Sequence, residues 1–369
     1  MNHAAPDDAA SRRTAAEREF VQAVEESIRD FLNRQRLTIL DVSYEALPLV
    51  DAIEALCLGG KRMRALLAFW GWQAAGGAAD SPEIVKAGAA IELFQSAALI
   101  HDDIIDHSDT RRGRPALHKA FESMHRDEHW ELDPAQFGTM SGIIAGDMCL
   151  SFSEAKFAAV EVQPDAARHA RRIFDLMRTE VMAGQYLDGL SEVVGIEDPD
   201  DALHRASTVI RFKSAKYSCE HPLTIGAALA GADQELLQRL REFGLPLGEA
   251  FQLRDDVLGV YGEPEVTGKP AGDDLREGKR TILIALAERG AEPEDVAFLE
   301  THLGDPTMDE STVNRLRDII RASGALDEAE SIISTTERQV SAALRRLNAD
   351  DRITEALRSM ASRALHRSS

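Results

Sequence analysis

Aromatic side chains make up only 5% of this 369-residue chain, and period-two apolar alternation bounded by hairpin turns is nearly missing. That shortage argues against a β-rich fold, while abundant Ala and Leu within a 44% hydrophobic content favour helix. Basic residues are also short, with 42 Lys and Arg against 63 Asp and Glu, a net charge of -21. Lacking a basic footprint, the chain is expected to partner neither nucleic acid nor an anionic membrane. An anionic ligand would therefore need cations gathered locally. The three cysteines, Cys57, Cys149 and Cys219, lie far apart without CxxC spacing. They read as buried free thiols of a reducing cytoplasm rather than a disulfide framework or a zinc site. Long hydrophobic runs are lacking too: "AGAAIELFQSAALI" is interrupted by Glu92 and Gln95 and reads as too short to span a bilayer. Residues 1–15 hold no apolar core of the secretory kind and read as a disordered tail. The expectation is a cytoplasmic protein with no stable membrane insertion.

What is present is helical periodicity between almost every pair of Gly or Pro breaks. Helices are expected over roughly 16–36, 45–57, 61–75, 82–107, 139–162, 166–190, 201–217, 221–230, 234–261, 278–288, 311–321, 326–347 and 351–366. No short repeat or Pro/Ser linker divides them, which predicts one all-α domain over 16–369, with two helical halves as the alternative. The polar stretch "HRDEHWELDPAQF" (125–137) reads as a surface insertion, and "GEPEVTGKPAGDDLREGKRT" (262–281) as a candidate lid.

The chemistry concentrates in "LIHDDIIDHSDTRRGRP", Leu99 to Pro115. On a helix Asp102 and Asp106 share a face with Asp103 beside them, a repulsive arrangement unless a cation neutralises it. Mg²⁺ suits it, being a hard ion that accepts one or two carboxylates and leaves room for water and phosphate. "FQLRDDVLGVYG" repeats the pattern at Asp255 and Asp256, roughly 150 residues on. Two such pairs would face one another across a cavity and hold several ions around one diphosphate. Basic residues cluster to match. "GGKRMR" sets Lys61 and Arg64 one helical turn apart beside a Gly pair that lets backbone amides approach an anion. Arg111 and Arg112 offer planar forks suited to phosphate oxygens, and Lys213, Lys216 and Lys269 add further cations. His101, His107 and His118 read as packing residues, or as supports behind the acids, rather than as ligands.

"GGKRMR", "HDDIIDHSDTRRGRP", "GQYLD", "FKSAKY", "FQLRDDVLG" and "GKPAGDDLREGKRT" stand in the order and spacing of the trans-isoprenyl diphosphate synthases (polyprenyl synthetases). The chain resembles that family from about residue 40 to 290, most closely its bacterial geranylgeranyl or longer-chain synthases. The resemblance implies a helical bundle around a deep central cavity and a homodimer. It implies 1'-4 condensation of isopentenyl diphosphate with an allylic diphosphate (dimethylallyl, geranyl or farnesyl), and Mg²⁺ as cofactor, three ions to an active site. Carried over, Asp102, Asp103 and Asp106 match the first aspartate-rich motif, and Asp255 and Asp256 the second, as metal-binding acids. Arg111 matches the arginine that grips the allylic diphosphate. Lys61, Arg64 and Arg112 match the isopentenyl diphosphate pocket, with Gln95 at its edge. Lys213 and Ser214 stand where the family has Lys-Thr beside the departing diphosphate, and Gln185, Asp188, Gln252 and Lys269 match cavity-lining positions. Gly259 departs from the pattern, standing where the second motif commonly has a third Asp.

In that setting Arg111, Lys213 and Lys269 would stabilise the leaving pyrophosphate, and the lid would exclude water from the carbocation. Product length is expected to depend on the helix beneath the first acids. Shorter-chain relatives carry aromatics four or five positions before the first Asp, where this chain has Ala98 and Ala97. Opening the floor there adds about one 5.4 Å turn of depth, with Phe94 as the next stop, which predicts geranylgeranyl diphosphate (C20), longer products being the alternative. A class I terpene cyclase and a non-catalytic helical scaffold stay open as rivals. The cyclase would normally carry an (N/D)DxxSxxxE-type motif, which is not found.

Overall fold

The computed structural model describes residues 14–195, 198–262 and 272–366. Lys269, most of the expected lid and nearly all of the N-terminal tail lie outside them. The chain divides into two compact units, residues 1–167 with 226–231 and residues 168–225 with 232–369.

In the first unit, helix α1 (Ala15–Val42) opens with a capping box: Thr14 accepts from the Glu17 amide, and Glu17 accepts from the Thr14 amide. Glu17 then does a second job, accepting the indole N–H of Trp70 at 3.2 Å inside the core. Phe20 of α1 stacks on Phe69 at 4.5 Å between ring centres. Helices α2 (Leu47–Cys57), α3 (Met63–Ala74) and α4 (Pro82–Ile105) follow. Proline at the first turn and the Ser81 hydroxyl cap start α4. This 24-residue helix is long and apolar enough to cross a bilayer, which corrects the expectation of a tract too short to do so. Its most apolar window is 67% buried, as in the core helix of a globular unit.

A two-strand ribbon, β1 (Thr110–Arg111) and β2 (Arg114–Pro115), comes next. Its two-residue turn needs positive φ at both positions, and Arg112 (56°) and Gly113 (71°) supply it. Helix α5 (Leu117–Asp127) was not expected from the sequence, and α6 (Pro134–Ala158) begins five residues earlier than expected. The stretch 125–137 is therefore mostly helix ends around a short turn, with Trp130 and Phe137 edge to face at 5.2 Å. Gly138, Gly142 and Gly146 recur every fourth residue on α6. A Cβ would meet the His118 carbonyl at the first, Ile104 at 2.7 Å at the second, and the His101 ring at the third. These glycines let α6 lie close against α4 and α5, and so fix the acidic end of α4.

The second unit holds most of α7 (Pro164–Val193), then α8 (Pro199–Val209), a π-helix over Ile210–Glu220 and the start of α9 (His221–Leu229). It continues with α10 (Gln234–Tyr261), α11 (Asp273–Glu277), α12 (Ile282–Gly290), α13 (Pro293–His302), α14 (Glu310–Ala322), α15 (Ala325–Arg346) and α16 (Asp351–Leu365). Its core joins Leu253, Val257 and Val260 of α10 to Leu283, Leu286, Leu316 and Ile320. The three cysteines are buried, as expected.

Candidate active site

Helix α4 ends at the first acidic motif. Asp102 and Asp103 lie in its last turn, and Asp106 is its C-cap, its amide bonded to the Asp102 carbonyl at 2.8 Å. Acids at a helix C-terminus oppose the negative end of the macrodipole, so this cluster is unfavourable unless cations answer it. Arg111 is one cation that the chain itself provides. The hairpin folds it back, and its Nε donates to Asp103 Oδ1 at 2.7 Å, while Nη2 donates to Asp103 and, at 3.4 Å, to Asp102. Burial alone would lower the Arg111 pKa, but the Asp103 bond and the nearby acids raise it. Asp103 is buried at 1% exposure, whereas Asp102 is only partly covered.

The basic loop is built by backbone strain. Gly59 and Gly60 have φ of 93° and 91°, and Arg62 is left-handed at 51° before α3 begins. A Cβ on Gly60 would come within 2.9 Å of the Arg112 guanidinium, which also donates to the Leu56 carbonyl at 3.3 Å. The structure thus brings Arg112 onto the "GGKR" loop, where Lys61 is exposed and Arg64 half-buried. The residue that sequence reasoning missed is Arg62. It is buried, bonded to Glu92 at 3.1 Å, to Glu25 and to the Cys57 carbonyl, and it pins the loop from beneath. Nothing in a run of basic residues shows which one turns inward; the buried Glu92 opposite decides it. Gln95 is half-buried on α4, Ala97 fully buried, Ala98 half-buried and Phe94 2% exposed.

In the second unit, Asp255 and Asp256 lie near the end of α10. Arg254, just before them, ties α10 to α15 through paired bonds to Glu330 at 2.6 and 2.9 Å. Gln252 donates to Asp256 at 2.9 Å. Burial, with the charges of Asp274 and Asp255, outweighs that bond and pushes the Asp256 pKa up to about 8. Gly259 follows on the same face. A Cβ there would overlap the Asp274 carboxylate, so Asp274 of α11 occupies the space a third motif side chain would need. Lys213 of the π-helix pairs with Asp188 of α7. Ser214 and Gln185 are half-buried.

The donors fit Mg²⁺: they are carboxylate oxygens set against helix dipoles or raised in pKa by burial, both conditions a divalent cation relieves. Among the described residues no three His, Cys, Asp or Glu side chains close a metal cage by themselves. Of the three histidines, His118 is buried with its pKa lowered by burial, His101 lies over Gly146 near the Ile143 carbonyl (3.4 Å) and 3.7 Å from Asp147, and His107 is exposed rather than packed.

An all-α chain whose paired acids are answered by arginine and lysine defines a prenyltransferase of the isoprenoid synthase fold. The chain belongs to the polyprenyl synthetase family, whose model matches residues 48–320. It is 33% identical over 279 residues to a geranylfarnesyl diphosphate synthase of Aeropyrum pernix, covering 74% of this chain and 79% of that one. A nonaprenyl diphosphate synthase of Mycobacterium tuberculosis is 29% identical over 276 residues, covering 75% and 74%. The crystal structure of a geranylgeranyl pyrophosphate synthase from Corynebacterium glutamicum, complexed with isoprenyl diphosphate and magnesium, superposes with a TM-score of 0.90. That match has 39% identity and covers 95% of this chain and 99% of that one. Trans-prenyl diphosphate synthase activity follows, in a Mg²⁺-dependent family that uses isopentenyl and allylic diphosphates.

Proposed function

We propose that the chain condenses isopentenyl diphosphate head to tail with dimethylallyl, geranyl or farnesyl diphosphate, and that its main product is geranylgeranyl diphosphate. The observation that carries the catalytic part is Arg111 forked onto Asp103 and Asp102 at the end of α4. It presents a guanidinium and carboxylates together where an anion and its cations must meet. Asp102, Asp106, Asp255 and Asp256 would hold Mg²⁺, three ions to a site. Bound Mg²⁺ supplies charge neutralisation for the departing pyrophosphate. Arg111, Lys213 and Lys269 would grip that same group as its charge grows, and Lys61, Arg64 and Arg112 would hold the isopentenyl diphosphate. Gln95, Gln185, Asp188, Ser214 and Gln252 would line the substrates.

The C20 assignment rests on Ala97 and Ala98, small where a plug would stand, with Phe94 buried about one turn further from the acids. A longer product is the second reading, favoured by the similarity to a synthase named for geranylfarnesyl diphosphate. Product analysis with each of the three primers tests both readings. Ala98→Phe is expected to shorten the main product by one or more isoprene units, and Ala97→Phe to do so at some cost in stability because that site is closed. An unchanged product distribution in both variants removes the floor from these positions.

We further propose that the active form is a homodimer. Helix α6 exposes Met140, Ile143 and Ile144 at helical spacing, and Ile105 at the end of α4 is exposed as well, an apolar surface that a second copy would cover. The double variant Ile143→Glu with Ile144→Glu should sediment at the mass of one chain, and the parent at that of two. An unshifted mass, whether that of one chain or of two, rejects this face as the interface.

A further inference from the structure

Helices with i→i+5 bonds are rare and mostly single turns, yet Ile210–Glu220 holds that pitch over 11 residues. Something must keep it from relaxing. On α7, Glu180, Gly184 and Asp188 fall four residues apart and so share one face, and all three meet the π-helix. Glu180 divides its carboxylate, Oε1 accepting from Lys216 Nζ at 2.6 Å and Oε2 bonded to His221 Nε2 at 2.7 Å. Gly184 lets the Lys213 backbone nitrogen come within 2.5 Å of where a Cβ would stand. Asp188 pairs with the Lys213 ammonium. On the other side, α10 approaches through glycines as well, Gly244 against the Glu220 backbone and Gly248 against that of Ala215.

His221 is 3% exposed and the Glu180 side chain 17%. Bonds from His221 and Lys216 hold Glu180 below the usual carboxylate range even though burial alone would raise it. One carboxylate therefore ties the C-terminal half of the π-helix to α7, beside the half in which Lys213 meets Gly184 and Asp188.

We propose that Glu180 is a positioning residue: by holding Lys216 and His221 it keeps 210–220 in π pitch, and so sets the rotation at which Lys213 meets the substrate diphosphate. This rests on the reading above that Lys213 grips that group. Loss of the anchor would let the segment slip toward i→i+4 bonding, turning Lys213 about the helix axis away from Asp188.

The test combines hydrogen exchange without substrate, steady-state kinetics and a double-mutant cycle. Glu180→Ala is expected to speed amide exchange over 210–220 by about tenfold, with exchange in α10 outside its contact unchanged. Its kcat should fall about 30-fold with both KM values within about threefold. Added to Lys213→Ala, it should cost nothing further, because both act through the same ammonium. Glu180→Gln keeps the shape and one acceptor oxygen, so it should fold like the parent and recover most of the rate. Unchanged exchange in both variants, or losses that add to that of Lys213→Ala, would overturn the proposal. An inactive parent chain would instead sink the reading of Lys213, while the exchange result still decides what holds the π-helix.

Discussion

Asp103→Asn is expected to lose both condensation activity and thermal stability, whereas Asp102→Asn should lose the activity alone. The two acids are adjacent in sequence, but α4 turns them to different surroundings. Asp103 is buried and takes the main bonds of Arg111; Asp102 keeps about a quarter of its side chain exposed and shares Arg111 only at 3.4 Å. Neutralising Asp103 leaves a largely covered guanidinium without its principal counter-charge, a loss of about 3 kcal/mol for a buried pair. In a chain of this size that corresponds to a fall in Tm of roughly 4 °C. Asp102→Asn removes one of the carboxylates proposed to hold Mg²⁺ and leaves Arg111 seated, so Tm should stay within about 2 °C of the parent. Both variants should lose about a thousandfold in kcat/KM, since anion and cation placement is the main catalytic term. Calorimetry beside a pyrophosphate-release assay separates the two acids. Equal Tm values for the two variants would mean that Asp103 does not hold Arg111 in place.

That division was only half legible in the sequence. Helical periodicity and the spacing of Asp102, Asp103 and Asp106 located the motif and its helix. They could not tell which acid turns inward, because that depends on Arg111 arriving through a hairpin whose turn requires positive φ at Arg112. Helix α5 was legible but missed: Leu117, Ala120, Phe121 and Met124 in "LHKAFESMHRD" keep the i, i+3, i+4, i+7 spacing of one apolar face, although the segment is short and otherwise polar. Its partner face was nonetheless printed in the chain as Gly138, Gly142 and Gly146. The π-helix left no trace, since "IRFKSAKYSCE" has the composition of an ordinary helix. Its pitch comes from Glu180 and Asp188, some 25 to 40 residues earlier. Local propensity fixes the elements, and long-range ion pairs choose among pitches and rotations that propensity leaves nearly equal.

Gly259→Asp should cripple the enzyme, although it restores the aspartate that the family pattern places there. Asp255, Asp256 and position 259 share a face of α10, and in this chain that face is already filled: the Asp274 carboxylate lies where the new Cβ would go. Asp274 is also held from its own side, its carbonyl bonded to the Lys279 amide at 3.1 Å and its carboxylate 3.8 Å from the Lys279 ammonium. A second carboxylate would have to displace Asp274 or push α11 away, an overpacking cost of about 1–3 kcal/mol before charge repulsion is counted. It would also crowd Asp256, a buried acid whose neighbours already disfavour its charge. A shift of the motif by a fraction of an ångström is enough to lower kcat by about tenfold to a hundredfold, with a matching rise in the Mg²⁺ concentration for half-maximal rate. Asp274→Ala in the same chain vacates the space, so the double variant should regain most of the loss even though Asp274→Ala alone is impaired. If Gly259→Asp is as active as the parent, or if the double variant is worse than either single one, then Asp274 does not stand in for the missing side chain. The second motif would in that case work with two acids.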